Sequence, residues 1–485
     1  MKSLAQPFVL IWAWLILWVA LSLIASFGSL AFWPMLLLNS GLLLRAWLDS
    51  RQSKHSILRN FPLVGHARYL FEKFRPEFRQ YFFESDTDGK PFSRRQRSLV
   101  YQRAKNVKQT AAFGMLEDPK KPGYEWMAHS VYPKRVDAAQ LRVNVGGPAC
   151  SQPYNASLLN ISAMSFGALS KNAVMALNEG AALGGFAHNT GEGGISDYHL
   201  MGGDLIWQIG TGYFGCRDEQ GRFLPEAFAE KAALPAVKMI ELKLSQGAKP
   251  GHGGLLPAHK NTPEIARIRQ IEPYTAVHSP AAHSSFSDAE GLVYFIDRLR
   301  KLSGGKPVGF KLSIGRPEEF EAIIQQMVLT GIYPDFITID GAEGGTGAAP
   351  VEFMDSMGMP LSDALPLADK LLSDYGLRKS IKIIASGKLV SAFDLARALA
   401  LGADLCYSAR GMMFALGCIQ ALQCDSDTCP VGVATQNPAL YRGLDPKEKR
   451  VRVAHFHTNT LKALAEILGA AGFESTDSVD RRAFY

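Results

Sequence analysis

From about Leu158 onward the sequence repeats one pattern: a short apolar run, a Gly or other small residue, then a helical stretch. The runs are LLNISAMSFG, GFAHNTGEGG, IWQIGTG, VKMIELKLSQG, PVGFKLSIG, DFITIDGAEGG, IKIIASG and LCYSARG. Nearly all are apolar in the middle, as strands are when both faces of their sheet are covered. Between the later runs, PEEFEAIIQQMVLTG, LPLADKLLSDYG and SAFDLARALALG read as helices. Ser170 is placed to cap KNAVMALNEGAALGG, whose Val174, Leu177 and Ala181 share a face and which stops at Gly184 and Gly185. Ser391 followed by Asp394 has the spacing of a capping box. About eight alternating units predict an α/β fold, a (β/α)8 TIM barrel over residues 151–415. The 45 glycines and 47% apolar content of the 485-residue chain suit so many tight turns.

The N-terminus has a different texture. Between Phe8 and Leu48 the only charged residue is Arg45. FVLIWAWLILWVALSLIASFGSL is long enough to span a bilayer; AFWPMLLLNSGLLLRAWL is shorter and interrupted by Pro34, Asn39 and Ser40. The expectation is a transmembrane hairpin over residues 1–50. One span plus an interfacial helix, or a cleaved signal peptide, are the rivals. Residues 51–110 carry 14 Lys or Arg against 5 Asp or Glu. Just past a second span, this charge places the remainder in the cytoplasm and attracts anionic lipid. It is too diffuse for a nucleic-acid arm, and no RNA-binding signature accompanies it. A basic linker and packing region is expected over 51–150, including an amphipathic helix broken at Pro76.

Barrel function resides at the carboxyl ends of the strands. GFKLSIG puts Lys311 at the end of an apolar strand, a cation that needs an anion such as a reduced flavin; a surface lysine is the plainer reading. IIASGKL and CYSARGM end the last two strands, where small residues, a helix start and Arg410 suit a phosphate; two ordinary tight turns are the alternative. IDGAEGGTGAAP lets backbone lie close to a ligand and carries Asp340 and Glu343. KLSQGAKPGHGGLLP carries Lys243, Gln246, Lys249 and His252, which suggests an anionic substrate; a solvated loop competes with that reading.

Half of the six cysteines lie in GCIQALQCDSDTCPVG, as Cys418, Cys424 and Cys429. Soft thiolates in a reducing compartment select iron–sulfur or zinc. Zinc needs a fourth ligand, for which His455 or His457 are candidates without support from spacing. Three unrelated thiols are a further possibility.

SAMSFGALSKNAVMALNEGAALGG, NTGEGG, SQGAKPGHGG, GGTGAAP and C-x5-C-x4-C-P-V-G-V-A-T-Q together resemble the FMN-binding synthase domain of glutamate synthases, from about Asn155 to Gly472. The first hundred-odd residues look like a stand-alone, membrane-anchored branch of that family. The resemblance implies an FMN barrel with a [3Fe-4S] cluster. An external donor would pass electrons through the cluster to FMN, which reduces an imine formed from 2-oxoglutarate. By motif, Met164 and Ser165 line the flavin and Lys311 sits at its pyrimidine side. Gly344, Gly345 and Thr346 approach it, and Gly387, Lys388, Ala409 and Arg410 surround its phosphate. Lys249 contacts the oxoacid, with His252 beside it. Cys418, Cys424 and Cys429 hold the cluster in residues 416–485, which end in a helix. Two positions depart by turning apolar, Ile195 where the family has glutamate and Leu255 where it has glutamine, and His252 also replaces a glutamate. These departures favour a less polar acceptor. They also raise an alternative, a membrane-bound electron-transfer or docking flavoprotein without glutamate synthase activity.

Overall fold

The computed structural model describes residues 6–27, 33–107 and 109–485. The chain divides into two compact units, Met1–Pro91 and Phe92–Tyr485.

In the second unit eight parallel strands close into a barrel. They are β1 (Leu159–Ile161), β2 (Ala187–Asn189), β3 (Asp204–Ile209), β4 (Val237–Lys243), β5 (Val308–Leu312), β6 (Phe336–Asp340), β7 (Lys382–Ser386) and β8 (Leu405–Ser408). Neighbours pair in chain order, and β8 closes on β1 with Cys406 opposite Leu159. Each expected apolar run became one barrel strand.

The alternation of side chains along a strand sorts the interior into layers. Ala187, Ile206, Met239, Phe336, Ile384, Leu405 and Tyr407 form an apolar layer near the amino ends of the strands. A hairpin of Arg142–Val145 and Tyr154–Ser157 adds Val145 and Ala156 to that layer, closing this end. The next layer is polar. The buried Glu241 carboxyl accepts from Asn189 Nδ2 (2.7 Å), Gln208 Nε2 (2.7 Å) and Thr338 Oγ1 (2.6 Å), tying β4 to β2, β3 and β6. Charged residues follow at the carboxyl ends.

Local signals behave as expected around the barrel. Ser170 Oγ accepts from Ala173 N–H to start the Lys171–Gly184 helix, which ends at Gly185 with φ 65°. The Ser391 and Asp394 capping box is formed. The C-terminal helix, Pro446–Ala470, lies against Lys171–Gly184. There Gly180 is required, because a Cβ would stand 2.7 Å from the Val453 side chain.

In the first unit, α1 (Gln6–Ser26) and α2 (Trp33–Arg51) pack together. The expected transmembrane hairpin finds no support: residues 1–5 and 28–32 lie outside the described residues, and among the described residues no helix is long and apolar enough to cross a membrane. α2 carries Pro34, Asn39, Ser40, Arg45 and Asp49 within its 19 residues. Arg45 and Asp49 pair at 3.3 Å, Asp49 also accepts from Leu63 N–H at 3.1 Å, and Asn39 donates to Ser22 at 3.1 Å. The membrane-bound alternative accordingly finds no spanning helix to support it. The expected break at Pro76 is displaced as well. The Gly65–Phe78 helix runs through Pro76, and the wider turn comes after it, at Arg79–Phe83.

Candidate functional site

The loops after β4 and β6 meet across the barrel mouth. Gly247 donates its N–H to Asp340 Oδ2 at 2.9 Å. A Cβ on Gly247 would fall 1.7 Å from the Gly341 carbonyl oxygen, so only glycine allows this approach. Lys249 Nζ donates to the Ala348 carbonyl at 3.0 Å, and the His252 ring meets Phe353 edge-on at 5.5 Å. On β5, buried Lys311 pairs with Asp340 Oδ2 at 3.3 Å. The anion beside Lys311 within the protein is thus a carboxylate of the neighbouring strand.

Behind these groups lies a charged set that sequence reading only partly found. Lys243, the last residue of β4, donates to Glu192 Oε1 at 2.8 Å and to Gln246 Oε1 at 2.6 Å. Glu192 comes from the GEGG turn after β2. Burial pushes its pKa up, but Lys243, Lys249 and Arg269 outweigh burial, and it stays below the usual range. Arg269 is fully buried and its pKa is pushed down to about 10 by burial, against the opposing pull of Glu192. Its Nη2 reaches Ser165 Oγ at 3.4 Å and the Phe166 carbonyl at 3.1 Å, linking this set to the loop after β1. Lys249 is pushed down to about 8, chiefly by burial and then by the Lys243 charge, with Glu192 pulling the other way. Three cations against one carboxylate make the set attractive to an anion. Glu192 sat in a quoted motif and was passed over; Arg269, at the end of a short helix in a long excursion, gave no sequence signal.

Opposite, at the ends of β7 and β8, Lys388 and Arg410 gather around one aromatic ring. The Phe92 ring is fully buried and has the Arg410 guanidinium 4.6 Å and the Lys388 ammonium 5.6 Å from its centroid. Lys388 stands in the left-handed region at φ 58°, after Gly387 at φ 142°. Arg410 donates to the Glu343 carbonyl. Burial pushes its pKa down to about 10, with Asp340 and Glu343 opposing. Gly345 lies so close that a Cβ would stand 2.7 Å from Arg410 Nε. Thr346 Oγ donates to the Ala348 carbonyl at 3.3 Å. Thus Gly344–Thr346, Gly387–Lys388 and Ala409–Arg410 form one wall, and Met164, Ser165, Lys311 and Lys249 lie on the loops and strands beside it.

His252 and the two departures differ in setting. His252 is exposed, with Nδ1 2.8 Å from the Gly253 carbonyl oxygen. Leu255 is exposed and sits in a two-residue strand pairing with His278. Ile195 packs against the hydrophobic core, which accounts for its apolar character.

The cysteine loop follows the Arg410–Leu416 helix. Tyr101 donates to the Cys418 carbonyl at 2.6 Å, and Lys260 Nζ to those of Cys424 (2.7 Å) and Ala434 (3.1 Å). Burial pushes the Cys418 thiol up to about 12, with Cys424 and Cys429 adding to the rise. Burial likewise raises Cys424, again with help from Cys429. Among the described residues, however, no group of three or more His, Cys, Asp or Glu is gathered to hold a metal ion. His457 is committed elsewhere: it stacks on Phe186 at 3.9 Å, and its Nε2 is 2.9 Å from Ser157 Oγ.

Comparison with known proteins decides the family. The conserved region in glutamate synthase matches residues 147–474. The chain belongs to the glutamate synthase family. Within this oxidoreductase family it is 41% identical over 479 residues to the glutamate synthase large subunit-like protein YerD of Bacillus subtilis, covering 90% of this chain and 91% of that one. It is 34% identical over 362 residues to an archaeal glutamate synthase [NADPH] of Methanocaldococcus jannaschii, covering 74% of this chain and 67% of that one. Among solved structures a mandelate oxidase mutant carrying an FMN adduct aligns over 80% of this chain and 90% of that one, at TM-score 0.43 and 14% identity. A likeness of that size adds nothing to the barrel seen directly.

Proposed function

We propose that this glutamate synthase family member is an FMN-dependent oxidoreductase acting on an anionic 2-oxoacid or the imine derived from it. The observation that carries the reading is the wall of Lys388 and Arg410 at the ends of β7 and β8, lined by Gly345, where a Cβ would crowd Arg410, and by Gly387 at φ 142°. Two cations and open backbone suit a flavin phosphate, the place where barrels often hold one. Lys311 would face the flavin ring with Asp340 balancing its charge. Lys249, poised near neutrality, would hold the acceptor carboxylate and donate a hydrogen bond or proton from Nζ, with Lys243, Arg269 and Glu192 keeping the site cationic. When bound, FMN supplies hydride chemistry and a [3Fe-4S] cluster supplies single electrons from an external donor.

For the cluster we infer Cys418, Cys424 and Cys429 as the ligands. A single ion with bonds of about 2.3 Å draws its sulfurs close together. A three-iron cluster takes one thiolate for each iron and spaces its ligands more widely, which suits three free cysteines in one loop. Thiolate ligands also suit a reducing compartment, so we place the barrel in the cytoplasm. The test is anaerobic purification followed by absorption spectroscopy and iron analysis. Flavin bands near-stoichiometric with protein, together with iron, are expected; protein lacking both refutes the reading. Amination of 2-oxoglutarate by chemically reduced protein then tests the acceptor. Reoxidation by other acceptors without that turnover would remove 2-oxoglutarate as substrate.

A further inference from the structure

Phe92 opens the second unit, far in sequence from both the phosphate wall and the cysteine loop, yet it touches both. Its ring carries the Arg410 and Lys388 cations and meets Phe414 edge-on at 5.2 Å. Its backbone is gripped by one side chain: Phe92 N–H donates to Gln420 Oε1 at 3.1 Å, and Gln420 Nε2 donates to the Phe92 carbonyl at 3.1 Å. Gln420 lies between Cys418 and Cys424, and its own N–H reaches Cys418 Sγ at 3.4 Å. It stands in the left-handed region at φ 60°, a conformation costly for a residue with a Cβ. A strained backbone held by a two-bond clamp marks a loop whose shape depends on its partner. The path therefore runs unbroken from Cys418 Sγ through Gln420 and Phe92 to Arg410 and Lys388.

We propose that Phe92 and Gln420 are positioning residues that couple the two cofactor sites, so that occupancy of the cysteine loop by iron and sulfide tightens FMN binding. The inference rests on the cofactor reading above. Any such coupling is reciprocal, because both ligands bias one arrangement of the same clamp. Neither residue is assigned to hold a cofactor, and the effect runs through the cations and the loop they position.

The experiment measures the FMN dissociation constant by flavin fluorescence quenching in full-length protein, iron-free and after reconstitution with iron and sulfide. In the wild type, reconstitution should tighten FMN binding by about fivefold or more. In Gln420→Ala the ratio should fall to about one, while FMN and iron are each still bound. Phe92→Leu keeps apolar volume but loses the ring face and should also flatten the ratio. Should Gln420→Ala fail to fold, Gln420→Glu carries the same expectation, since it keeps the bond from Phe92 N–H and loses the one to its carbonyl. A wild-type ratio of one, or variants with the wild-type ratio, overturns the coupling. A wild type that binds neither FMN nor iron instead overturns the cofactor reading itself.

Discussion

Single residues at the mouth have distinct electrostatic duties. Lys249 titrates near 8 because burial and Lys243 disfavour its charge. An anionic acceptor needs the protonated form, so 2-oxoacid affinity should fall as pH rises above about 8. Lys249→Met should weaken that affinity by about 10- to 100-fold, the worth of a charged hydrogen bond, and abolish the pH dependence. Titration calorimetry across pH 7–10 checks both. At the opposite wall Gly345→Ala would push on Arg410. FMN binding should weaken about tenfold with little change in melting temperature, read by flavin fluorescence. Lys243, Lys311 and Arg410 were legible in the sequence because each sits at the end of an apolar run, and Lys249 because it lies in the glycine-containing loop that follows one. Arg269 and Phe92 were not, since their roles depend on contacts with loops distant in the chain.

Among elements, β4 is the most heavily tied. Its buried Glu241 carboxyl satisfies donors from three other strands inside the barrel. Glu241→Ala leaves all three unpaired and should cost about 3 kcal/mol or more in urea unfolding. A variant within 1 kcal/mol of wild type would show that water replaces the carboxyl. Sequence reading gave β4 as an apolar strand and overlooked Glu241, because a lone carboxylate in such a run has no local signature. The cysteine loop is the second element with a clear expectation. Cys418→Ser, Cys424→Ser or Cys429→Ser should each lose bound iron while the far-UV circular dichroism of the barrel is retained. Unchanged iron content in any of them removes that residue from the ligand set.

At the scale of the whole molecule, acid stability follows from four buried imidazoles. Burial lowers His188 well below its usual value, with the nearby His199 adding to it, and lowers His199 to about 3, His283 to about 4 and His457 to about 3. Each is neutral when folded and takes up a proton on unfolding below about pH 6.5. Their contribution is present above that pH and is lost as pH falls towards 3–4, where the folded forms would protonate. The unfolding free energy should therefore decline steadily from pH 6.5 downward. His199→Gln should reduce the slope by up to about 1.4 kcal/mol per pH unit, measured by urea denaturation at pH 4–7. An unaltered slope would show that His199 does not stay neutral.

The order, number and type of the barrel strands were determined by the sequence itself, because burial on both faces writes a continuous apolar run that needs no distant partner to be recognised. The caps at Ser170 and Ser391 and the glycine stops were local for the same reason. Tertiary structure alone decided which charges meet. The pairing of Lys311 with Asp340, of Lys243 with Glu192, and the clamp between Phe92 and Gln420 join residues separated by up to 328 positions. In the N-terminal apolar stretch it set which polar residues of α2 meet α1 and Leu63, contacts that hydropathy does not reveal. Hydrophobic burial acts on each segment's own composition, but hydrogen bonds and ion pairs depend on geometry that only the closed barrel and packed helices supply.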